Sequence, residues 1–314
     1  MGRYIARRLL AFIPTLLAVA VIVFFMIYLV PGDPVSLMLG QEASGEAINA
    51  KRMEMGLDRP LPERFVSWFA DAARGDLGDS YFLNQSVTEA LAERLPVTFS
   101  LSALALLVAM LVGVAAGIIA SIRQGSVVDW LVMLVALFGL SVPSFWLALN
   151  LILFFSVQWQ LFPVGGYVAF TEDPRAFFEH LFLPSLTLGL INAAVIARMT
   201  RSSMLEVLRM DYVRTARAKG LRERVVVYRH AFRNALIPIV TIVGITAGVM
   251  LGGSVITETV FNLPGVGRLV VEGVKRRDYP VVQGTILIIT CSYLTINLIV
   301  DVLYAWINPR IRYD

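Results

Sequence analysis

The chain has 314 residues, 57% of them hydrophobic and only 16% charged, against about 25% charged in soluble domains. That balance excludes an ordinary soluble domain and points to a polytopic membrane protein. The net charge of +4 is small and unevenly placed, which fits loop charges on one side of a bilayer and argues against a nucleic-acid partner.

Arg3, Arg7 and Arg8 precede an uncharged run from Leu9 to Gly32. The run is too long for the apolar part of a signal peptide and has no small-residue cleavage site, so it reads as a retained first span with a cytoplasmic N-terminus. Pro31, Gly32, Asp33 and Pro34 end it. Residues 1–32 form this N-terminal segment, and residues 33–94 form an external region with eleven acids and six Lys/Arg. Leu61, Phe65, Trp68, Phe69 and Ala72 mark one amphipathic helix in it. Val87, Leu91 and Leu95 mark another, expected at the surface and leading into the next span. Gly75, Asp76 and Gly78 predict a turn.

Residues 95–314 make a core of five further spans. The second span is the charge-free run Leu95–Ile122, whose Gly113 and Gly117 allow close helix packing. A tight turn, Arg123–Asp129, leads to the third span, Trp130–Val157, where Pro143 predicts a kink near Ser141–Ser144. An external loop over 158–180 returns to a short fourth span, Leu181–Ala197, that continues into a basic loop. The fifth span, Asn234–Thr257, carries Gly244, Gly248 and Gly252 at steps of four. These predict one face packed closely on a helix of this chain or of a partner. After an external loop over 258–282, the sixth span runs over Val281–Ile307. Both termini are then inside, with sixteen Lys/Arg inside and eleven outside, and seventeen of the 23 acids outside.

The basic loop, residues 198–234, organises the rest. It holds ten Lys/Arg against three acids. Before Gly220, Leu205, Leu208, Tyr212 and Ala216 fall at helical spacing; after it, Val225, Tyr228, Phe232 and Ala235 do the same. Gly220 tolerates positive φ and can separate two helices. The expectation is two short amphipathic helices bent at Gly220, with a basic outer surface. A charged tether obeying the positive-inside rule would need no apolar stripes.

Chemistry is otherwise sparse. None of the three lysines (Lys51, Lys219, Lys275) follows a glycine, so the chain has no Walker A step and cannot be its own P-loop ATPase. Cys291 is the one cysteine, and His180 and His230 lie in separate loops, so the sequence offers no disulfide and no metal-ligand cluster. No catalytic, cofactor-binding or metal-ligating residue is assigned. Ser141, Ser144, Asn150, Asn192, Thr246 and Asn297 are polar residues within spans. They are candidates for a translocation path, although such residues more often bind helix to helix. Asp301 sits near the inner end of the sixth span, where it is either functional or paired with a loop arginine.

A set of motifs then runs through nearly the whole chain: PGDPV (31–35), GDLGDS (75–80), RLPVTFSLS (94–102), LPSLTLG (183–189), RMTRSSMLEVL (198–208), DYVRTARAKGL (211–221), HAFRNALIPIVT (230–241), GGSVITETVFNLPGVGRL (252–269), RRDYPVVQ (276–283) and DVLYAWINPRIRY (301–313). In this order they resemble the dipeptide/oligopeptide permeases of ABC importers, in their first-subunit type. The basic loop is similar to the EAA loop of such permeases, although its Glu-Ala-Ala positions hold Arg214, Thr215 and Ala216.

The resemblance implies an all-α type I importer permease with six transmembrane helices, forming half of a peptide path in a bacterial inner membrane. Glutathione, a nickel chelate or another small solute is the alternative cargo. The implied partners are a homologous second permease, one or two ABC ATPases that hold ATP and Mg, and a periplasmic or lipid-anchored substrate-binding protein. The implied ATPase-coupling residues are Arg214, Thr215, Ala216, Arg217, Ala218, Lys219, Gly220, Leu221 and Val225. Competing readings are an exporter membrane domain, which would need longer cytoplasmic helices, an intramembrane enzyme, which would need a nucleophile–base pair or metal motif, and a non-transport membrane protein.

Overall fold

The structure, a computed structural model, describes residues 2–29, 33–40 and 43–307, with side chains over 7–26, 33–40 and 43–302. Pro31, Gly32 and the tail from Asn308 lie outside the described residues. Thirteen α-helices carry the described chain: α1 (Gly2–Leu29), α2 (Pro34–Leu39), α3 (Gly45–Glu54), α4 (Leu61–Ala73), α5 (Val87–Ile122), α6 (Val127–Ser141), α7 (Ser144–Leu151), α8 (Pro174–Leu208), α9 (Asp211–Ala218), α10 (Glu223–Val225), α11 (Arg233–Val260), α12 (Val266–Arg276) and α13 (Tyr279–Ile307). Two π-helical stretches, Ile152–Gln158 and Val226–Phe232, extend α7 and join α10 to α11. The one β pairing among the described residues is an isolated bridge between Asp79 and Ser86.

Among the described residues, five stretches are long and apolar enough to cross a membrane: Arg7–Met26, Val87–Ile122, Pro174–Leu208, Glu223–Val260 and Tyr279–Val302. α6 and the α7 stretch make a sixth if their bent pair is one span. Here the expected kink is a break of 102°. The residue before a proline is driven out of the helical region, and Val142 (ψ 124°) and Pro143 (ψ 135°) are both extended. Two successive non-helical residues redirect the axis instead of bending it.

The chain forms two compact units that cut it differently from the boundaries drawn on the sequence. One comprises Met1–Thr98 and Pro264–Leu294, the other Phe99–Leu263 and Thr295–Asp314.

In the first unit, Phe24 of α1 meets Phe65 and Trp68 of α4 with ring centroids 5.3 and 5.6 Å apart. The apolar face read for α4 thus packs on the first span. Gly75 and Gly78 form the expected turn at φ 91° and 81°, and the Asp76 carboxylate accepts the Gly78 N–H at 2.9 Å. Val87 and Leu91 depart from expectation. They are buried with Leu77, Ala90, Val266, Leu269 and Val281 rather than lying at the surface. The cause is non-local: the first turns of α12 and α13 cover them. The GDLGDS and RRDYPVVQ motifs also meet here, where the Ser80 hydroxyl donates to buried Asp278 at 2.5 Å.

In the second unit α8 is the central helix, packed against α6, α7 and α11. Its 35 residues extend about 50 Å, well beyond an apolar bilayer core of about 30 Å. The fourth span therefore continues into the basic loop, as its shortness on the sequence predicts. Small residues bring α5 onto α8. A Cβ on Gly113 would lie 2.7 Å from the Ala193 carbonyl oxygen, one on Gly117 2.6 Å from that of Ala197, and one on Gly189 2.7 Å from that of Ala105. Backbones meet because no side chain intervenes.

The glycine face of α11 is only partly packed. A Cβ on Gly244 would come within 2.4 Å of Val300, and Gly248 is buried. Gly252 is exposed and meets nothing within 4 Å among the described residues. A four-residue repeat drifts around a 3.6-residue helix, so a face continuous in sequence need not meet one neighbour along its length.

Candidate functional site

The basic loop folds as a helical hairpin between the end of α8 and the start of α11. α8 ends at Leu208, Met210 is extended at ψ 150°, and α9 begins at Asp211. Asp211 lies in the first turn of α9 and Arg217 in its last, each opposite the helix-end partial charge that favours it. Gly220 follows at φ 71°. The Gly220 N–H donates to the Arg217 carbonyl at 2.9 Å and the Leu221 N–H to the Ala216 carbonyl at 3.4 Å. This is the two-bond, left-handed helix stop that glycine supplies. The chain reverses there and re-enters helix at Glu223. Arg217 closes the turn with a two-pronged ion pair to Glu223, at 2.7 and 3.1 Å. The Glu223 hydrogen bonds raise the Arg217 pKa further above its already high value, so the guanidinium stays charged.

Beneath this turn lies an apolar cluster of Ile118 from α5, Met204 and Val207 from α8, Val213 and Ala216 from α9, Val226, Val227 and Ala231 from the π-helical stretch, and Ala235 and Ile239 from α11. α9 is therefore seated by one face on α8 and the π-helical stretch, in a cluster to which α5 and α11 also contribute. Its other face is exposed: Arg214, Thr215, Arg217, Ala218 and Lys219, continuing into Gly220, Leu221 and Val225. The exposed side chains of Met210, Tyr212 and Tyr228 adjoin them. Burial raises the Tyr212 phenol pKa, and its hydrogen bond with Asn234 opposes that shift.

Several sequence assignments shift. Leu205, Leu208, Tyr212 and Ala216 do not share one helix, because extended Met210 resets the helical phase between α8 and α9. Val225 and Tyr228 are exposed, and the buried stripe is Val226, Val227, Ala231 and Ala235. The π-helical stretch widens the turn and rotates the inward face away from 3.6-residue spacing. Ala216, grouped on sequence with the outward contact residues, is buried inside this cluster.

The path candidates form no shared network. Ser141, Asn150 and Asn192 each donate to the backbone of their own helix, at Leu137 (3.1 Å), Trp146 (2.7 Å) and Leu188 (2.8 Å). Thr246 is buried, and Ser144 and Asn297 are half-buried. Two buried features escape sequence reasoning. Asp129 pairs with Arg201, at 2.6 and 2.7 Å, and fully buried Glu258 accepts from Ser254 at 2.8 Å. Asp129 carried one available signal, as the fourth residue of a Ser126-x-x-Asp129 helix start.

Comparison with known proteins agrees with this architecture. Residues 113–313 match the family model described as binding-protein-dependent transport system inner membrane component. Residues 1–102 match the N-terminal model of the same kind of transport component. A Brucella abortus protein named as a peptide transport system permease is 45% identical over 314 residues, the full length of both chains. The glutathione transport system permease protein GsiC of Escherichia coli O6:H1 is 45% identical over 313 residues, again covering both chains in full. Among solved structures, the inward-facing MetNI methionine ABC transporter aligns with TM-score 0.59 at 18% identity, over 70% of this chain and 96% of that one. An amino acid ABC transporter with histidines aligns with TM-score 0.53 at 16% identity, over 70% and 94%. At such identities these structures speak for the fold alone, and the fold is that of an importer permease. The chain belongs to the binding-protein-dependent inner membrane component family: it is a non-catalytic, multi-pass permease subunit of an ABC importer, whose ATP is hydrolysed by separate subunits.

Proposed function

We propose that this permease carries peptides inward, and that α9 with the Gly220 turn is the surface through which an ATPase subunit drives it. The observation that carries the coupling role is the two-sidedness of α9. Val213 and Ala216 seat it in a cluster shared by α5, α8 and α11, while Arg214, Thr215, Arg217, Ala218 and Lys219 face outward. A helix so placed passes a push on its outer face to α5, α8 and α11 together. Its basic outer surface suits an acidic groove, and exposed Met210, Tyr212, Leu221 and Tyr228 give it apolar area to bury.

Peptide cargo is supported by the names of full-length relatives, one a peptide and another a glutathione permease. Glutathione is itself a tripeptide, so both share amide groups and terminal charges. The assembly would pair this chain with a homologous permease in a bacterial inner membrane. ATPase subunits would hold ATP and Mg on the cytoplasmic side, and a periplasmic or lipid-anchored binding protein would deliver cargo.

Two experiments test this. A photo-crosslinking residue at Ala218 should capture the ATPase subunit in the assembled complex, whereas one at exposed Lys275 on α12 should not; capture from Lys275 alone would refute the docking face. In proteoliposomes, uptake of a labelled dipeptide with the cognate binding protein should require ATP. Uptake of a nickel chelate with no peptide uptake would overturn the cargo.

A further inference from the structure

The family assignment and the coupling turn leave one buried charged pair unused, that of Asp129 with Arg201. Arg201 Nε donates to Asp129 Oδ1 at 2.6 Å and Nη2 to Oδ2 at 2.7 Å. The Asp129 side chain is 5% exposed and that of Arg201 26%. The planar fork fixes direction as well as distance, which a single lysine contact would not do.

The carboxylate is also held from its own side. The Gly125 N–H donates to Oδ2 at 3.0 Å, with Gly125 at φ 75°. The Asp129 N–H donates to the Ser126 hydroxyl at 3.4 Å, and that hydroxyl donates to the Arg123 carbonyl at 2.6 Å. The turn from α5 to α6 is thus a rigid bracket aimed at α8. Beside it, Gly117 of α5 lies against Ala197 and Thr200, the residue before Arg201. Arg201 itself stands seven residues, about 10 Å, before the end of α8 at Leu208.

The rest of α6 packs one face along α8 and leaves the other uncovered among the described residues. Trp130, Leu134, Leu137 and Phe138 face outward. An apolar groove of about 430 Å³ lies between α5, α6, α7 and α8, lined by residues including Gly113, Leu131, Val135, Trp146 and Ala193. At its far end α6 stops at the 102° break. One end is pinned by a two-pronged ion pair, the middle rests on α8 with apolar space beside it, and the other end breaks helical continuity before α7. That is the layout of a lever on a pin.

We propose that Asp129 and Arg201 are a positioning pair, a pin that persists through the transport cycle and makes the broken span α6–α7 follow α8 when α9 is displaced. Removing either partner would leave the other charge half-desolvated, so breaking the pair in each cycle is disfavoured. A persistent link transmits motion, whereas a switch would interrupt it. The proposal rests on the importer reading and adds to it the element through which α9 reaches the broken span.

The test uses the full reconstituted complex with its binding protein, reading basal ATP hydrolysis, its stimulation by loaded binding protein, and cargo carried per ATP. Asp129→Asn should assemble and retain basal hydrolysis, but lose stimulation and cargo per ATP by about tenfold, within the 5–150-fold range of site-to-site coupling. Should it fail to assemble, Arg201→Lys, which keeps the charge and loses the fork, is read in the same assay. Asp129→Cys with Arg201→Cys, in a Cys291→Ala background, should be uncoupled when reduced. A short, cleavable bifunctional thiol crosslinker should restore coupling, and its cleavage should abolish it again. Normal stimulation in assembled Asp129→Asn, failure of the crosslink to restore coupling, or loss of assembly in both single variants would each overturn the proposal. Failure of the importer reading shows separately, as wild-type complex with no stimulation at all.

Discussion

Gly220 is the residue on which the loop turns, and its left-handed φ of 71° is what the substitution Gly220→Val attacks. A residue with a Cβ is disfavoured there by about 1–2 kcal/mol, and a β-branched one more. No Cβ clash adds to this, since nothing lies within 4 Å of the site among the described residues. Gly220→Ala should therefore fall between wild type and Gly220→Val in thermal stability of the purified complex; equal stability of all three would show that the turn relaxes freely. Arg217 is a different case. Its pair with Glu223 is 41% and 54% exposed, so its loss should cost less than about 1 kcal/mol. Arg217→Glu, which also sets a like charge beside Glu223 at the end of α9, should lower melting only slightly while weakening ATPase recruitment in pull-down, and a large drop in stability would show a structural role instead. Gly220 was legible in the sequence because positive φ has a composition mark. The Asp129–Arg201 pair was not, because its partners stand 72 positions apart and Arg201 was counted among loop charges.

At the scale of elements, patterns that depend on one helix were readable and those that depend on its neighbours were not. Pro143 marked the interruption of the third span, but not its angle, which is set by two extended residues in series. The apolar stripe of α4 was readable from 3.6-residue spacing. The stripe after Gly220 kept Ala235 but missed Val226, Val227 and Ala231, because a π-helical turn leaves no composition signature. The glycines of α11 illustrate the same limit. Gly244→Leu should be destabilising by about 1–3 kcal/mol or more, since its side chain must displace Val300. Gly252→Leu should be tolerated in the folding of this chain, because the position is open. Comparing the yields of monodisperse protein for the two variants checks this. Equal yields would mean that the two glycines share an environment, either both packed or both open.

For the whole molecule, the apolar content, six-span count and motif order were enough to reach the family, because each is distributed along the entire chain. The division into two compact units was not readable, since α5 and α13 are each divided between the two. The charge distribution predicts the sidedness, and that expectation has its own check. Single cysteines replacing exposed Ser44 and exposed Lys219, in a Cys291→Ala background, should react from opposite faces of the membrane. An impermeant thiol reagent applied to intact cells should label the first and spare the second. Equal labelling would refute a cytoplasmic placement of α9.

The central claim is that α9 and the Gly220 turn convert ATPase movement into span movement. The most direct measurement is ATP hydrolysis stimulated by loaded binding protein, recorded beside cargo uptake in the reconstituted complex of Gly220→Val and of Arg217→Glu. The account predicts that both variants insert in the membrane and lose stimulation and uptake together, by about 5–150-fold, the span of typical coupling free energies. Normal stimulation with normal uptake in both variants would contradict it, and would reduce the loop to a charged tether.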